Sequence, residues 1–348
     1  MGPEDEGSPS PGVVGAGEAV RRPPTLKHVA QHAGVSYQTV SRVLNGDPRV
    51  TATTRSKVEA AVKALDYHPS AAARDLVRGY TTTFGVVAED PHQFGTASTV
   101  RGIDAAAALN GWTTTAATLR LGAVADVDEA MAALQRRGAR AIALIGVTEG
   151  VARRVFEVPR AVPLIAASQG AVDLDRRAVA VDQDAGVRAA IEHLVARGRR
   201  RIAHVAGPAA SLDALRRLRA YRREVEARGL PAIVLQGDWT AEAGHRAGLA
   251  LASRGDVDAV FCANDQTAIG VLSALHSSGV AVPERVAVVG FDDVPEAGYL
   301  IPPLTTVAQD FAALGAAVLQ AMRDAAETGR EPRTDRLLTP ELIVRATS

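Results

Sequence analysis

The chain has 348 residues with 39 Lys and Arg set against 39 Asp and Glu, a formal net charge of zero, and a length that suits two to three domains at roughly 150 residues each. One cysteine, Cys262, excludes an intrachain disulfide and any four-cysteine zinc module, which fits a reducing cytoplasm as the expected location. No uncharged apolar run approaches the ~18 residues that span a bilayer, and the opening Met1-Gly2-Pro3-Glu4-Asp5-Glu6 is acidic where a signal peptide is basic, so neither a membrane anchor nor export is expected.

Residues 1–24 are rich in Gly, Pro, Ser and Glu with no apolar period, which predicts a disordered leader. Its run from Gly12 to Gly17 has the wrong glycine spacing for a phosphate loop and no strand before it. The zero net charge hides a segregation. Between Arg21 and Tyr80 ten Lys and Arg face four Asp and Glu, a net +6 that includes all three lysines, and the remainder is −6. A small basic module on a larger, nearly neutral body predicts a polyanion reader that carries a regulator.

Thr25 can cap a first helix in which Leu26, Val29, Ala30 and Ala33 recur at helical spacing, and Gly34-Val35 makes a tight turn. Ser36 can cap a second helix with Val40, Val43 and Leu44 facing inward, stopped at Asn45-Gly46. A third begins near Thr51 to Thr54 and buries Val58, Ala61, Val62 and Leu65. Two short helices around a glycine-containing turn, with a third behind, is the helix-turn-helix plan.

Beyond Tyr80 apolar, β-rich runs alternate with amphipathic ones. Strands are predicted at residues 84–88, 113–118, 141–145, 164–166, 202–206, 233–235, 259–261 and 286–289. Helical stretches between them include 98–109, 127–137, 186–197, 214–228, 241–253 and 266–277. Continuously apolar strands are buried on both faces, which means parallel sheets covered by helices. Periodicity alone leaves two doubly wound lobes and a barrel of eight strands both open.

The stretch Val35-Ser36-Tyr37-Gln38-Thr39-Val40-Ser41-Arg42-Val43-Leu44-Asn45 resembles the DNA-binding helix of the lac repressor family of bacterial transcription factors. The similarity continues through residues 53–61 and Asp66-Tyr67-His68-Pro69. It resumes at Glu192-His193-Leu194 with Gly198, Gly237-Asp238-Trp239, Ala263-Asn264-Asp265-Gln266, Val288-Val289-Gly290-Phe291-Asp292-Asp293, and Ile301-Pro302-Pro303-Leu304-Thr305-Thr306 with Gln309-Asp310-Phe311. It is nearly unbroken from about residue 24 to 345.

The resemblance implies a small all-α helix-turn-helix domain at 25–69, a hinge helix or linker at 70–80, and an effector-binding and dimerisation body at 81–348. The body would be α/β, two doubly wound parallel-sheet lobes of the periplasmic-binding-protein type, with lobe 1 at about 82–180 plus 310–338 and lobe 2 at about 181–309 plus 339–348. It also implies a repressor that binds a palindromic operator in double-stranded DNA as a homodimer, gated by a small, sugar-like effector held between the lobes, with no cofactor. The chain given stops at Arg345-Ala346-Thr347-Ser348, just after the last body strand. Tetrameric members add a C-terminal heptad-repeat helix there, so a dimer is expected.

Side chains near the start of a recognition helix reach the major-groove edge, where Gln38 can pair with adenine, Arg42 with guanine, and Tyr37 can meet thymine methyls. Thr25, Ser36, Ser41, Asn45 and Arg49 suit phosphates. The segment from Ser70 to Arg78 is too short to be a stable helix alone. The resemblance makes it a hinge helix that pairs on the operator, with Leu76 as the minor-groove wedge.

Sugars need planar polar groups for vicinal hydroxyls and an aromatic face for the ring. Asp292, Asn264 and Trp239 supply these types, Phe311 can close the opposite wall, and all four match effector positions of the family with Gln309 at the pocket floor. Two positions depart. Direct alignment of Asp213-Ala214 puts Leu215 where the family's sugar-anchoring arginine stands, unless the helix begins later and Arg216 or Arg217 substitutes. Gly146 stands where a polar asparagine is expected. A changed specificity, with weak binding of simple galactosides, is therefore expected.

Enzyme readings are poor. Asp292-Asp293 are adjacent, so they cannot flank a glycosidic bond at the required separation. The eight histidines lack metal spacing, and no serine sits in a Gly-x-Ser-x-Gly elbow. The alternative of a pure solute-binding protein fails on residues 25–80, which such a protein lacks. A non-enzymatic regulator is expected.

Overall fold

The computed structural model describes residues 24–44, 46–67, 81–174, 178–332 and 335–348. They form two units, one in the first part and the other from residue 81 onward. The predicted leader up to residue 23, Asn45, and the hinge segment with Leu76 lie outside the described residues.

The first unit holds α1 (Leu26–Ala33), α2 (Tyr37–Leu44) and α3 (Ala52–Ala64). Gly34, at φ +67°, ends α1 in the left-handed region, and two residues later the Ser36 hydroxyl accepts the Thr39 N–H at 3.1 Å to start α2. Thr51 starts α3 in the same way, accepting from Thr54 N–H at 3.4 Å. Each helix contributes one apolar stripe to a shared core of Val29, Ala30, Val40, Val43, Val58, Ala61 and Tyr67. Leu44, Val62 and Leu65 stay half-buried at its rim. The outer face of α2 is left in solvent.

The second unit runs β1 (Thr83–Glu89), α4 (Phe94–Leu109), β2 (Thr113–Leu119), α5 (Val127–Arg136), β3 (Ile142–Ile145), α6 (Glu149–Glu157), β4 (Leu164–Ala166) and β5 (Val179–Val181). It continues α7 (Gln183–Ala196), β6 (Ile202–Ala206), α8 (Leu212–Glu226), β7 (Ile233–Gln236), α9 (Ala241–Arg254), β8 (Ala259–Cys262), α10 (Asp265–Ser277) and β9 (Ala287–Asp292). It closes with β10 (Thr305–Ala308), α11 (Phe311–Thr328), β11 (Arg336–Leu338) and β12 (Glu341–Ile343). The strands build two open sheets rather than a barrel. One has the order β2-β1-β3-β4, all parallel, and continues through the Ala166–Ala178 bridge to the parallel pair β5 and β11. The other has the order β12-β10-β9-β8-β6-β7, parallel except for β12 against β10.

Buried alternation explains the continuous apolar runs. Along β1, Phe84, Val86 and Ala88 face Ile103 of α4 and Leu314, Val318 and Met322 of α11, while Val87 faces Met131 and Leu134 of α5. Each such side chain contributes roughly 1.5–3 kcal/mol on burial, so both layers of helices are required by the strands. The chain passes between the lobes at residues 182–183, 309–310 and 339–340, and these crossings lie side by side. Asp182 N–H donates to Leu338 O at 2.8 Å, and Gln183 Nε2 donates to Gln309 Oε1 at 3.2 Å.

Beyond the predicted elements the structure contains β5, β10, β11, β12, α6 and α11. The four strands are three or four residues long, and β10 opens on two threonines. Their hydroxyls are satisfied internally: Thr306 donates to Asp265 Oδ1 at 2.6 Å and Thr305 accepts the Arg345 N–H at 2.9 Å. No helix among the described residues is long and apolar enough to cross a membrane.

Candidate functional site

Two places combine exposed or cleft-facing polar groups with defined geometry. On the first unit, Tyr37, Gln38 and Arg42 are all solvent-exposed on α2, Tyr37 at 52 %. Gln38 and Arg42 are four residues apart and so share a face, opposite the buried Val40 and Val43. Around this face, the Thr25 N–H is taken by His28 Nδ1 at 3.1 Å, and the Ser36 hydroxyl serves as the cap of α2. Ser41 is half-buried. Arg49 is exposed but makes a two-pronged fork with Asp47, Nε to Oδ1 at 3.0 Å and Nη2 to Oδ2 at 2.8 Å. That fork holds the Asp47 carboxyl down at about 2.

The second place is a cleft between the lobes. Lobe 1 lines it with Glu89, Asp90, Phe94, Thr96, Gly146 and Ser168, and lobe 2 with Asp213, Arg217, Trp239, Asn264 and Asp292. Gln309 and Phe311 enter from the second crossing. Phe94 and Phe311 meet edge to face with centroids 5.7 Å apart. Trp239 lies flat on Gly207, where a Cβ would stand 2.6 Å from the ring, so glycine is required beneath it. Asp90, Trp239 and Asp292 adopt φ of +46°, +74° and +117°, a concentration of backbone strain at one cavity.

A polar network runs through the cleft floor. Arg217 donates from Nε to Gln183 Oε1 at 2.7 Å and from Nη1 to the Ala263 carbonyl, and its Nη2 stands 3.7 Å from Asp292 Oδ1. Its guanidinium carbon lies 3.8 Å from the Phe291 ring centroid, a cation–π contact in a desolvated setting. Gln309 Nε2 donates to Asp292 Oδ1 at 2.6 Å, which joins the cleft-facing carboxylate to two of the three crossings through Gln183. Ser168 donates to Asp213 Oδ1 at 2.7 Å across the lobes. Asn264 uses its amide hydrogens on Trp239 O at 3.0 Å and Gln266 Oε1 at 2.9 Å, and its Oδ1 caps α10.

Burial sets the electrostatics. It pushes the Asp292 carboxyl up to about 6 although Arg217 and Gln309 pull it down. Asp265, behind it and fully buried, is pushed up to about 8 by burial and by the Asp292 charge. Asp213 is likewise raised by burial, against the pull of Arg217 and Ser168. One guanidinium serves three carboxyls.

Asp292, Asn264, Trp239, Gln309 and Phe311 are thus brought together, and Leu215 is not. It lines a separate surface depression with Asp173, Leu212 and Arg219, and the cation in the cleft is Arg217. The reason is helical geometry: α8 begins at Leu212 behind its cap Ser211, and Arg217, four residues after Asp213, shares the cleft-facing side with it. Arg216 points elsewhere, to Asp173 at 3.0 Å and to Asp184. The expectation that the cleft lacks its planar cation is therefore corrected. Gly146, at φ +62°, leaves its space to Thr96, whose hydroxyl would collide with any side chain there. Sequence reasoning raised Arg217 only as a substitute for Leu215 alongside Arg216, and it did not single out Asp213, Ser168, Gln183 or Thr96 as cleft residues. The i, i+4 pairing of Asp213 and Arg217 was the available signal. Among the described residues no cluster of His, Cys, Asp and Glu could hold a metal ion.

Comparison with known proteins places this arrangement. The family model for bacterial regulatory proteins of the lacI family matches residues 25–70, and that of a periplasmic binding protein-like domain matches residues 191–348. The lactose operon repressor of Escherichia coli (strain K12) is 32 % identical over 341 residues, covering 94 % of this chain and 91 % of that protein. The structure of the lac repressor dimer bound to operator and the anti-inducer ONPF aligns with a TM-score of 0.83 at 30 % identity, covering 94 % of this chain and 99 % of the other. A complex of the transcriptional regulator CelR with cellobiose aligns with a TM-score of 0.69 at 31 % identity, over 93 % of this chain and all of the other, 100 %. With a helix-turn-helix unit, a two-lobed body and whole-length relatives of this kind, the chain belongs to the lacI family of bacterial regulatory proteins, the DNA-binding transcriptional regulators typified by the lac repressor.

Proposed function

We propose that this regulator is a repressor that binds a palindromic operator as a homodimer and is gated by a small carbohydrate in the inter-lobe cleft. One observation carries the reading: the same chain exposes Tyr37, Gln38 and Arg42 on a capped second helix and walls a cleft with Asp292, Arg217, Asn264 and Trp239. Tyr37, Gln38 and Arg42 read bases, while Thr25, Ser36, Ser41, Asn45 and Arg49 meet phosphates. Leu76 is the minor-groove wedge. In the cleft, Asp292 and Arg217 hold vicinal hydroxyls, Trp239 and Phe311 sandwich the ring, and Gln309 and Asn264 set the floor.

Ligand and operator are linked through one free energy, so a sugar that changes operator affinity must have its own affinity changed by operator to the same factor. Selection of bound duplexes from a random pool, followed by titration of sugars into the complex, tests the reading. An enriched palindrome whose affinity shifts with a sugar supports it. Enrichment without symmetry, or no response to any carbohydrate, sinks it.

Gln38→Ala is expected to cost about 1–3 kcal/mol on the selected palindrome, with little change in non-specific affinity or in the salt slope. Equal loss on random duplex would remove Gln38 from the reading set.

Assembly is supported by lobe 2, where Tyr299 (88 % exposed), Ile301 (98 %) and Val344 (55 %) leave large apolar side chains in solvent. Apolar surface of this kind marks association. Sedimentation is expected to give a dimer, and Ile301→Asp a shift towards monomer at micromolar concentration. An unchanged dimer would place the contact elsewhere.

A further inference from the structure

We propose that the effector is a polyol carrying a basic amine, an aminated saccharide rather than a neutral or acidic one. The proposal rests on the cleft being a carbohydrate site and adds the charge of its ligand. Among the described residues lining the cleft there are four carboxylates, Glu89, Asp90, Asp213 and Asp292, and one cation, Arg217. The wall from lobe 1 has two acids and no base.

Arg217 cannot balance this set. Two of its donor positions are taken by Gln183 and the Ala263 carbonyl, one face is covered by Phe291, and its remaining nitrogen reaches Asp292 only at 3.7 Å. Glu89 is satisfied within lobe 1, accepting from Thr148 N–H at 2.6 Å, Thr148 Oγ1 at 3.2 Å and the Gly122 N–H. Asp90 and Asp213 differ. Each is held at one oxygen by a neutral donor, Gln93 Nε2 at 3.0 Å and Ser168 Oγ at 2.7 Å. Such bonds fix the side chain without bringing a charge, and the one cation that reaches Asp213, Arg217, is shared with Asp292 and Asp265.

A bound ligand strips water from these carboxylates. Hydroxyl groups return hydrogen bonds but no countercharge, and burying an uncompensated charge is costly. An ammonium returns both, through charge-assisted bonds about twice as strong as neutral ones. The aromatic rings of Phe94 and Phe311 line the same cavity, and an aromatic ring favours a cation over an anion. Phosphorylated and uronic sugars meet the opposite: a like charge in a water-poor cavity.

Calorimetry on the full chain at pH 7 with matched sugars tests the proposal: glucosamine against glucose, galactosamine against galactose, the glucosamine dimer against cellobiose, and glucose 6-phosphate as the anion. In a pair that binds, the amine is expected to be tighter by about tenfold or more, the scale of one charge-assisted bond, and the phosphate not to bind. Asp213→Asn, which keeps an acceptor for Ser168, is expected to collapse that ratio, and Asp90→Asn to reduce it. Neutral sugars binding as tightly as their amines, tight binding of the phosphate, or a ratio that survives both substitutions would overturn the proposal while leaving the cleft a carbohydrate site. Failure of every sugar to bind would overturn that reading and this one with it.

Discussion

Arg217→Ala is expected to be the most damaging single change in the body, lowering its stability by roughly 3–5 kcal/mol, the cost of stranding buried charge when one partner is removed. Only 5 % of Arg217 is exposed, and its removal leaves Asp292 and Asp213 without their shared cation and Gln183 and the Ala263 carbonyl without a donor. Arg217→Lys keeps the charge but loses the planar fork and the broad contact on Phe291, so an intermediate loss is expected. Leu215→Ala, outside the cleft, should leave effector affinity nearly unchanged. Urea unfolding of the three variants, with sugar titration of those that fold, decides the matter. An Arg217→Ala protein as stable as the parent and equally responsive to sugar would remove this side chain from both roles.

The second large effect is acid lability centred on His204. This ring is fully buried on β6, its Nδ1 within 3.0 Å of the Phe261 carbonyl and its faces against Phe261 and Tyr221, with centroids 4.9 and 5.0 Å away. Nδ1 therefore donates, and Nε2 is a buried acceptor with no hydrogen-bond partner. Burial pushes the ring down to about 4 from the ordinary 6.5. A native value below the unfolded one means the folded state favours the neutral ring. Its contribution is complete above pH 6.5 and is lost as pH falls towards 4, at about 1.4 kcal/mol per unit. His204→Phe keeps both stacks and removes the titration, so it should gain roughly 2 kcal/mol on the parent between pH 7 and 5. Parallel stability curves would exclude His204 as the cause. Asp265 works with the opposite sign: its native value of about 8 lies above 3.8, so its contribution is present in acid and lost as pH rises through 8.

The contrast between Leu215 and Arg217 shows where sequence reading runs out. Strands such as β1, β3 and β8 are buried on both faces, and that environment writes itself as an unbroken apolar run. The one-stripe helices of the DNA-reading unit are equally legible, because caps at Ser36 and Thr51 and the left-handed Gly34 fix their ends locally. β10 and β12 leave no such trace: they are three or four residues long, and threonines serve as well as valines where Asp265 and Thr347 supply the bonds. In the cleft, residue type pointed to Asp292, Asn264, Trp239 and Phe311, but which arginine of α8 enters depends on the angle at which the helix leaves its cap. Counting along the chain gives position without direction. Thr96 taking the space beside Gly146 is a meeting of the first turn of α4 with the end of β3 that neither sequence segment announces.

The threading of the chain also bears on its synthesis. The α1–α3 core is complete within a contiguous stretch ending at Tyr67, local contacts of the kind that form fast. Lobe 1 lacks Leu314, Val318 and Met322 until α11 has been made, and lobe 2 lacks β12 and the Thr347 hydroxyl that bridges Thr305 and Val288. A translation stop near residue 310 would therefore yield a fragment with its DNA-reading unit whole and both lobes unfinished, able to find duplex but deaf to any sugar.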